Sequence, residues 1–503
     1  MQRKQLTLVI VSLLVVVLSV SLAWFTTQII GKGKNLNVTS ANLQIVFTDS
    51  DGSISGSNIE PGWSATKTFT VQNNSKSEYK YNIVIKDLLN TFVTNGYLKY
   101  KITSTNDGYN MTEFKDIPKS SVATDTILAY SVVIPNGVTQ SYTIEFKYAN
   151  DESVDQSEDM GKKLSGTLFI TEGTEDPNKT LYNQLLVDKS TKLTRTDFST
   201  VLTTDNTNTL YTSTEDSKTV YYFAGNATDN WVKFGKNESN QDLYWRIIRT
   251  ISDGSVRLLY HGTSTTATDA VINTSTKFNE TRNDPMYVGY MYGTSGSLVN
   301  NRTNINNSTI KTTIDNWYTS NLEAKGYTKY LSTTAVYCND RSNPASGYNT
   351  GNTSFNYGAG TRLDTNETPT YDCTDTNDKF TVDTSTGNGK LTYPIALMTA
   401  DEVSFAGGVY RTKAETWYYY NSAKGSSTGS TWWWLLSSYR WNGSYAYVFG
   451  VGGSSIPGRL DDRDVNYTNG VRPAISLKSC TLYSTGNGSA SDPYTIKETS
   501  SGC

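Results

Sequence analysis

Short runs in which apolar and polar residues alternate, each closed by turn residues, set the terms for this chain. Ala41-Asn42-Leu43-Gln44-Ile45-Val46-Phe47 alternates apolar and polar side chains, the period of a strand with one buried face. Pro61-Gly62 marks a turn, and Thr66-Lys67-Thr68-Phe69-Thr70-Val71 resumes the pattern up to Asn73-Asn74. Tyr81–Ile85, Leu98–Ile102, Tyr130–Ile134, Tyr142–Phe146 and Thr167–Ile170 continue it. About seven short strands punctuated in this way predict an antiparallel β-sandwich, jelly-roll or Ig-like, over residues 35–171. No binding or catalytic pattern is legible within it.

Ahead of the sandwich, Leu6 to Phe25 carry no charge and follow Arg3 and Lys4. About 20 apolar residues span a bilayer as a helix, with the basic flank held in the cytoplasm. Ser21-Leu22-Ala23 also offers a small-x-small cleavage site. An uncut anchor and a cleaved signal over residues 1–31 therefore both stay open, and either one exports the remainder. Four cysteines fit that compartment. Cys338 and Cys373 flank one loop-rich stretch and Cys480 and Cys503 bracket the tail, so sequential pairing is the simplest of three connectivities. A zinc site is the rival, but no CxxC is present.

Residues Thr171 to Lys179, TEGTEDPNK, read as a linker, and 172–219 as linker plus a short amphipathic helix at Leu181–Val187. From Val220 the texture changes. Trp245–Arg249 and Val256–Tyr260 flank Asp253-Gly254, a hairpin signal. Ile310, Ile314, Trp317 and Leu322 follow a helical period behind a cap at Ser308. Pro394–Met398 reads as a short strand entering Thr399-Ala400-Asp401-Glu402, a capping box, with Gly407-Gly408 ending the helix. Capping and dipole work explain Asp401 and Glu402 better than catalysis does.

The aromatic residues concentrate late in the chain. Trp432-Trp433-Trp434-Leu435-Leu436 reads as core, and Tyr445, Tyr447 and Phe449 alternate with Ala446 and Val448 along a strand. Around them, Tyr439–Tyr445 and Asp461–Tyr467 carry the Tyr, Ser, Asn, Asp and Arg mixture suited to a binding surface. Asp461, Asp462 and Asp464 have a calcium-like arrangement, but Arg463 between them would repel the ion. No metal and no cofactor is expected. The single histidine, His261, leaves no ordinary Ser-His-Asp, Cys-His or HExxH chemistry unless that one residue serves. A formal net charge of −3 provides no basic field for nucleic acid.

Phe234-Gly235, Trp245–Ile248, Trp317, Thr399–Val403, Trp434–Ser437 and Gly470–Leu477 together resemble the C-type-lectin/formylglycine-generating-enzyme-fold module of bacterial surface proteins. That resemblance implies an α+β C-type-lectin-like domain over 220–503. The closing GVRPAISL resembles the variable region of diversity-generating-retroelement target proteins, in which templated adenines are randomised and displayed on a lectin-like surface. It implies a candidate variable region at 432–477. Its scaffold would be Trp434, Leu435, Leu436, Val448, Gly470, Val471, Arg472 and Pro473. Its displayed, ligand-contacting positions would be Tyr439, Arg440, Asn442, Ser444, Tyr445, Arg459, Asp461, Asp462, Arg463, Asp464, Asn466 and Tyr467. The copper-binding cysteine pair of the formylglycine-generating enzymes does not carry over to the widely spaced Cys480 and Cys503.

The N-terminal half resembles camelysin/TasA-like surface proteins in its leader ending Ala23-Trp24-Phe25, its Leu43–Phe47 strand and Pro61-Gly62-Trp63-Ser64. Some relatives there are metallopeptidases, but this half has no His or Cys to serve as ligands. The expectation is a non-enzymatic cell-surface or secreted binding protein of a Gram-positive-type bacterium, meeting an external protein or glycan. Membrane contact would come through an uncleaved leader. A fibre component self-associating through the sandwich is the alternative, and a carboxylate enzyme built on Asp401 and Glu402 is a third.

Overall fold

The computed structural model describes residues 36–40, 43–49, 53–55, 59–174, 176, 179–268, 270–342, 344, 347–419 and 431–503. The expected leader, 1–31, lies outside the described residues. Among those described, no helix is long and apolar enough to cross a membrane. The fold is predominantly β-sheet, in two compact units that divide at Pro177/Asn178.

The first unit holds two antiparallel sheets. One orders Leu36–Ser40, Leu43–Asp49, Ser64–Asn73, Thr139–Tyr148, Leu98–Ser104 and Lys115–Asp116; the other orders Ser53–Ser55, Leu164–Glu172, Tyr79–Asn90 and Ser120–Ile134. Alternation does what the sequence pattern requires. Along Thr139–Tyr148, the side chains of Gln140, Tyr142, Ile144, Phe146 and Tyr148 are buried and those between are not. They share one core with Tyr81, Ile83, Ile85, Leu168 and Ile170 of the other sheet. Tyr81 closes that core, with its hydroxyl 2.7 Å from Gln140 Oε1 and 2.5 Å from the Tyr142 hydroxyl. Gly62, at φ +93°, makes the Pro61-Gly62 turn, in which Trp63 N–H donates to Glu60 O. The Ser120–Ile134 strand pairs on one side with Tyr79–Asn90, and among the described residues its other edge is open.

The second unit begins earlier than expected. Thr180 Oγ1 caps the Leu181–Asp188 helix, and Leu181, Leu185 and Leu210 are buried in the unit's main core. Most of 172–219 is therefore folded structure and not linker, because its few apolar residues find a sheet to cover. The main sheet centres on Asp242–Thr250 and Val256–Gly262, joined through the Asp253-Gly254 turn with Gly254 at φ +82°. Tyr494–Ile496, near the chain's end, lies parallel to Trp231–Lys236 near the unit's start.

A second, smaller sheet orders Asn273–Lys277, Thr468–Val471, Trp433–Trp441, Ala446–Val451 and Leu460–Asp464. The chain passes from it to the main sheet between Val471 and Pro473, and Arg472 pins that corner by donating to Tyr260 O and Tyr419 O. Disulfides join Cys338 to Cys373 and Cys480 to Cys503. By closing loops of 35 and 23 residues, each stabilises the fold by roughly 3–4 kcal/mol through the unfolded state.

Candidate functional site

Two clusters of charged and aromatic side chains stand out in the second unit, one inside it and one on the smaller sheet. The inner cluster forms at the Ala400–Ala406 helix. Thr399 Oγ1 accepts from Glu402 N and Glu402 Oε2 accepts from Thr399 N, completing the capping box. Glu402 Oε1 then receives Arg249 Nε at 2.8 Å and Arg257 Nη1 at 3.0 Å, and Arg249 also meets Glu215 at 2.9 Å. Burial alone would raise the Glu402 carboxyl, but the two guanidiniums outweigh it and hold its pKa below the usual carboxylate range. Asp401 receives Arg362 through two bonds of 2.8 Å. A small cavity of about 20 Å³ lies against Arg249, Arg257, Arg362, Tyr371 and Asp401, room for roughly one water.

Nearby, Arg246 and Arg472 are buried, and among the described residues their acceptors are neutral: Asn230 Oδ1 and carbonyls of Ala227, Tyr418, Tyr419 and Tyr260. His261 is buried beside them with Nδ1 unpaired. Burial, and then the two guanidinium charges, press its pKa well below the ordinary value, so the ring is neutral. It packs edge-on against Trp231. This is core architecture.

The second cluster is the one expected from the Tyr/Asp/Arg loops. Gly443, at φ +92°, turns the hairpin between Trp433–Trp441 and Ala446–Val451; a Cβ there would lie 2.2 Å from Asn352 O. Asn442 Oδ1 accepts from Ser444 N and Tyr445 N, so this expected display position shapes the turn. Ser444 is exposed, Arg440, Arg459, Arg463 and Asn466 are half-buried, and Tyr445 and Tyr467 are 37% and 53% exposed. Arg282 stacks on the Tyr445 ring at 3.7 Å and pairs with Asp464.

Three expected display positions are in fact buried. Tyr439 is 2% exposed and donates to Asp364 Oδ2 at 2.8 Å; its backbone oxygen accepts from Tyr357 N. Asp464 is covered by Arg282 and accepts from Asn466 N, so it fixes the turn. Asp461 is buried, pairs with Arg459 and accepts from Asp462 N. The Asp462 carboxylate is as sheltered as that of Asp461, receiving Tyr410 Oη at 2.6 Å and Arg440 at 3.2 Å, with Arg411 3.6 Å away. Burial and then the Asp462 hydrogen bond push the Tyr410 hydroxyl pKa up. Each of these three aspartates is thus committed to a guanidinium, and among the described residues no group of three His, Cys, Asp or Glu side chains is set to hold a metal.

All eight expected scaffold positions, Trp434, Leu435, Leu436, Val448, Gly470, Val471, Arg472 and Pro473, are buried. Trp434 Nε1 donates to Thr276 O. Arg282, Asp364, Tyr410 and Arg411 were not foreseen. They reach the face from distant segments, and nothing local in the sequence announces them.

No family model matches this chain, and no curated protein matches it. Among solved structures, a ruminal GH26 endo-beta-1,4-mannanase is similar over 34% of this chain and 37% of its own, at 15% identity and a TM-score of 0.15. The match thus spans little more than a third of that protein, and at that score it carries no argument about fold or function.

Proposed function

We propose that this chain is a bacterial cell-surface or secreted binding protein whose C-terminal, C-type-lectin-like domain meets an external ligand through the loops of the smaller sheet. One observation carries the reading. Tyr445 and Tyr467 are the two exposed aromatic side chains among the described residues, in a chain with 35 Tyr, 15 Phe and 10 Trp, and both sit on this one face. Exposed tyrosine beside arginine is what interface anchors are made of, since tyrosine gives large contact area at modest entropic cost and arginine gives directed donors. The disulfides favour an oxidising, extracellular compartment. The pairing of the domain's two ends and a smaller sheet bearing the loops favour the lectin-like description.

The test applies the chain and its Tyr445→Ala/Tyr467→Ala variant to arrays of glycans and of bacterial surface proteins. The expected outcome is about a tenfold or greater loss of signal on the bound ligand, with an unchanged circular-dichroism spectrum. Equal signals from the two proteins would overturn the reading. Diversification is decided separately by the flanking DNA. A reverse-transcriptase gene with a near-copy of the 432–477 segment differing at adenines supports it; their absence leaves an undiversified binding protein.

A structural reading is favoured by the open edge of the Ser120–Ile134 strand, where Val122 is exposed. An edge with free N–H and C=O groups can take a strand from a second copy. Concentration-dependent oligomers in analytical ultracentrifugation, abolished by Val122→Pro, would support fibre assembly; a monomer at all concentrations would exclude it.

A further inference from the structure

We propose that the ligand is a protein that places an Asp or Glu carboxylate on Arg463; this rests on the binding face described above and names what that face takes. Five arginines surround the face. Arg282 is paired with Asp464, Arg411 with Asp461 and Asp462, Arg440 with Asp462, and Arg459 with Asp461. Arg463 alone among them has no carboxylate within 4.0 Å among the described residues. Its guanidinium instead lies 3.5 Å from the centre of the Trp432 ring and 5.9 Å from that of Tyr467. Its Nε is buried without a partner, while among the described residues its two terminal nitrogens make no hydrogen bond, and the side chain is only half-buried.

A guanidinium laid on an indole is held in one plane, and the edge left open presents parallel N–H donors. A carboxylate is the planar, two-oxygen acceptor that matches such an edge. Burial weakens the hold of Arg463 on its proton, and the Asp461 and Asp462 charges, both beyond ion-pair distance, do not offset it. A cation left this way gains most from a partner brought in from outside.

The surroundings select among carboxylates. Asp461, Asp462 and Asp464 are already taken by arginines and Glu280 by Lys277, so a polysaccharide with a carboxylate on every sugar would set its further charges against aspartates with, among the described residues, no free arginine between them. A protein surface offering one carboxylate amid neutral or basic groups meets Arg463 without that repulsion, and the exposed Tyr467 ring supplies the adjoining apolar contact.

The experiment labels the full chain with ¹⁵N-arginine and assigns the Arg463 Nε signal by its disappearance in Arg463→Lys. It then titrates N-acetyl-glutamate N-methylamide, using N-acetyl-glutamine N-methylamide as the neutral isostere. The expected result is a saturable shift of the Arg463 signal at least about tenfold more sensitive to the glutamate probe, with the four paired arginines moving less. No response at Arg463, or an equal response of all five arginines, would overturn the proposal. Movement of the Tyr445 and Tyr467 ring signals with Arg463 silent would also overturn it, while leaving the binding face standing. A final arm compares polyglutamate with polygalacturonate; tighter binding of the polysaccharide would sink the choice of a protein ligand.

Discussion

Arginine, carboxylate and tyrosine are brought together twice in the second unit, around Glu402 and around Asp462, with opposite consequences. At Glu402 all the partners are interior: the side chains of Arg249, Arg257 and Glu215 are at most 7% exposed. At Asp462 the carboxylate is sheltered, but its guanidiniums are not; Arg411 is 60% and Arg440 32% exposed. In the first arrangement the charges are buried and satisfy one another. The second keeps donors at the surface, and one arginine of that face, Arg463, has no carboxylate partner among the described residues. Residue type does not distinguish the two clusters; saturation and access do.

The strongest way to break that contrast is Glu402→Gln. The change leaves two buried guanidiniums short of a charge and should cost about 3–5 kcal/mol, read from the second unit's transition in chemical denaturation. The pH dependence has a definite sign. Because the folded pKa of Glu402 lies below the ordinary glutamate value of 4.5, its contribution is complete above that value and is lost as pH falls through the folded pKa. The variant should therefore lose that part of the acid sensitivity. A loss below about 1 kcal/mol would mean the inner cluster is not the structural member of the pair.

The two clusters also differ in how far they could be read from the sequence. The Thr399–Glu402 capping box and the Asp253-Gly254 hairpin were legible because each signal and its partner lie within a few residues. The sandwich strands were legible for the same reason: burial along Thr139–Tyr148 follows the period of two. Tyr439 is buried against expectation because the Trp433–Trp441 strand does not keep that period. Its register against Ala446–Val451 shifts on both sides of Ser438, and it is buried at every residue except Arg440. The Gly358–Gly360 turn and Tyr410 cover Tyr439, and neither is near it in the chain. The 172–219 segment reads as linker because its composition is polar, yet Leu181, Leu185, Leu210 and Tyr211 are buried and Lys189 forms a buried pair with Asp229. Arg282 pairs with Asp464 across 182 residues, a distance over which no local pattern operates.

The gentler probe of the same contrast is Asp462→Asn. The variant keeps an oxygen for the Tyr410 hydroxyl, so that hydrogen bond need not be lost. What it removes is the charge facing Arg411 and Arg440, and those guanidiniums already reach water and can be resolvated where they stand. The expected cost is therefore about 1 kcal/mol or less, shrinking further at high salt because surface pairs are screened. Denaturation of the second unit at low and high salt checks it. A loss matching that of Glu402→Gln, and insensitive to salt, would place Asp462 among the buried structural charges and take the face's fixed geometry out of the binding argument. A small, salt-sensitive loss would instead show that this face holds its charges loosely enough for a ligand to compete for them.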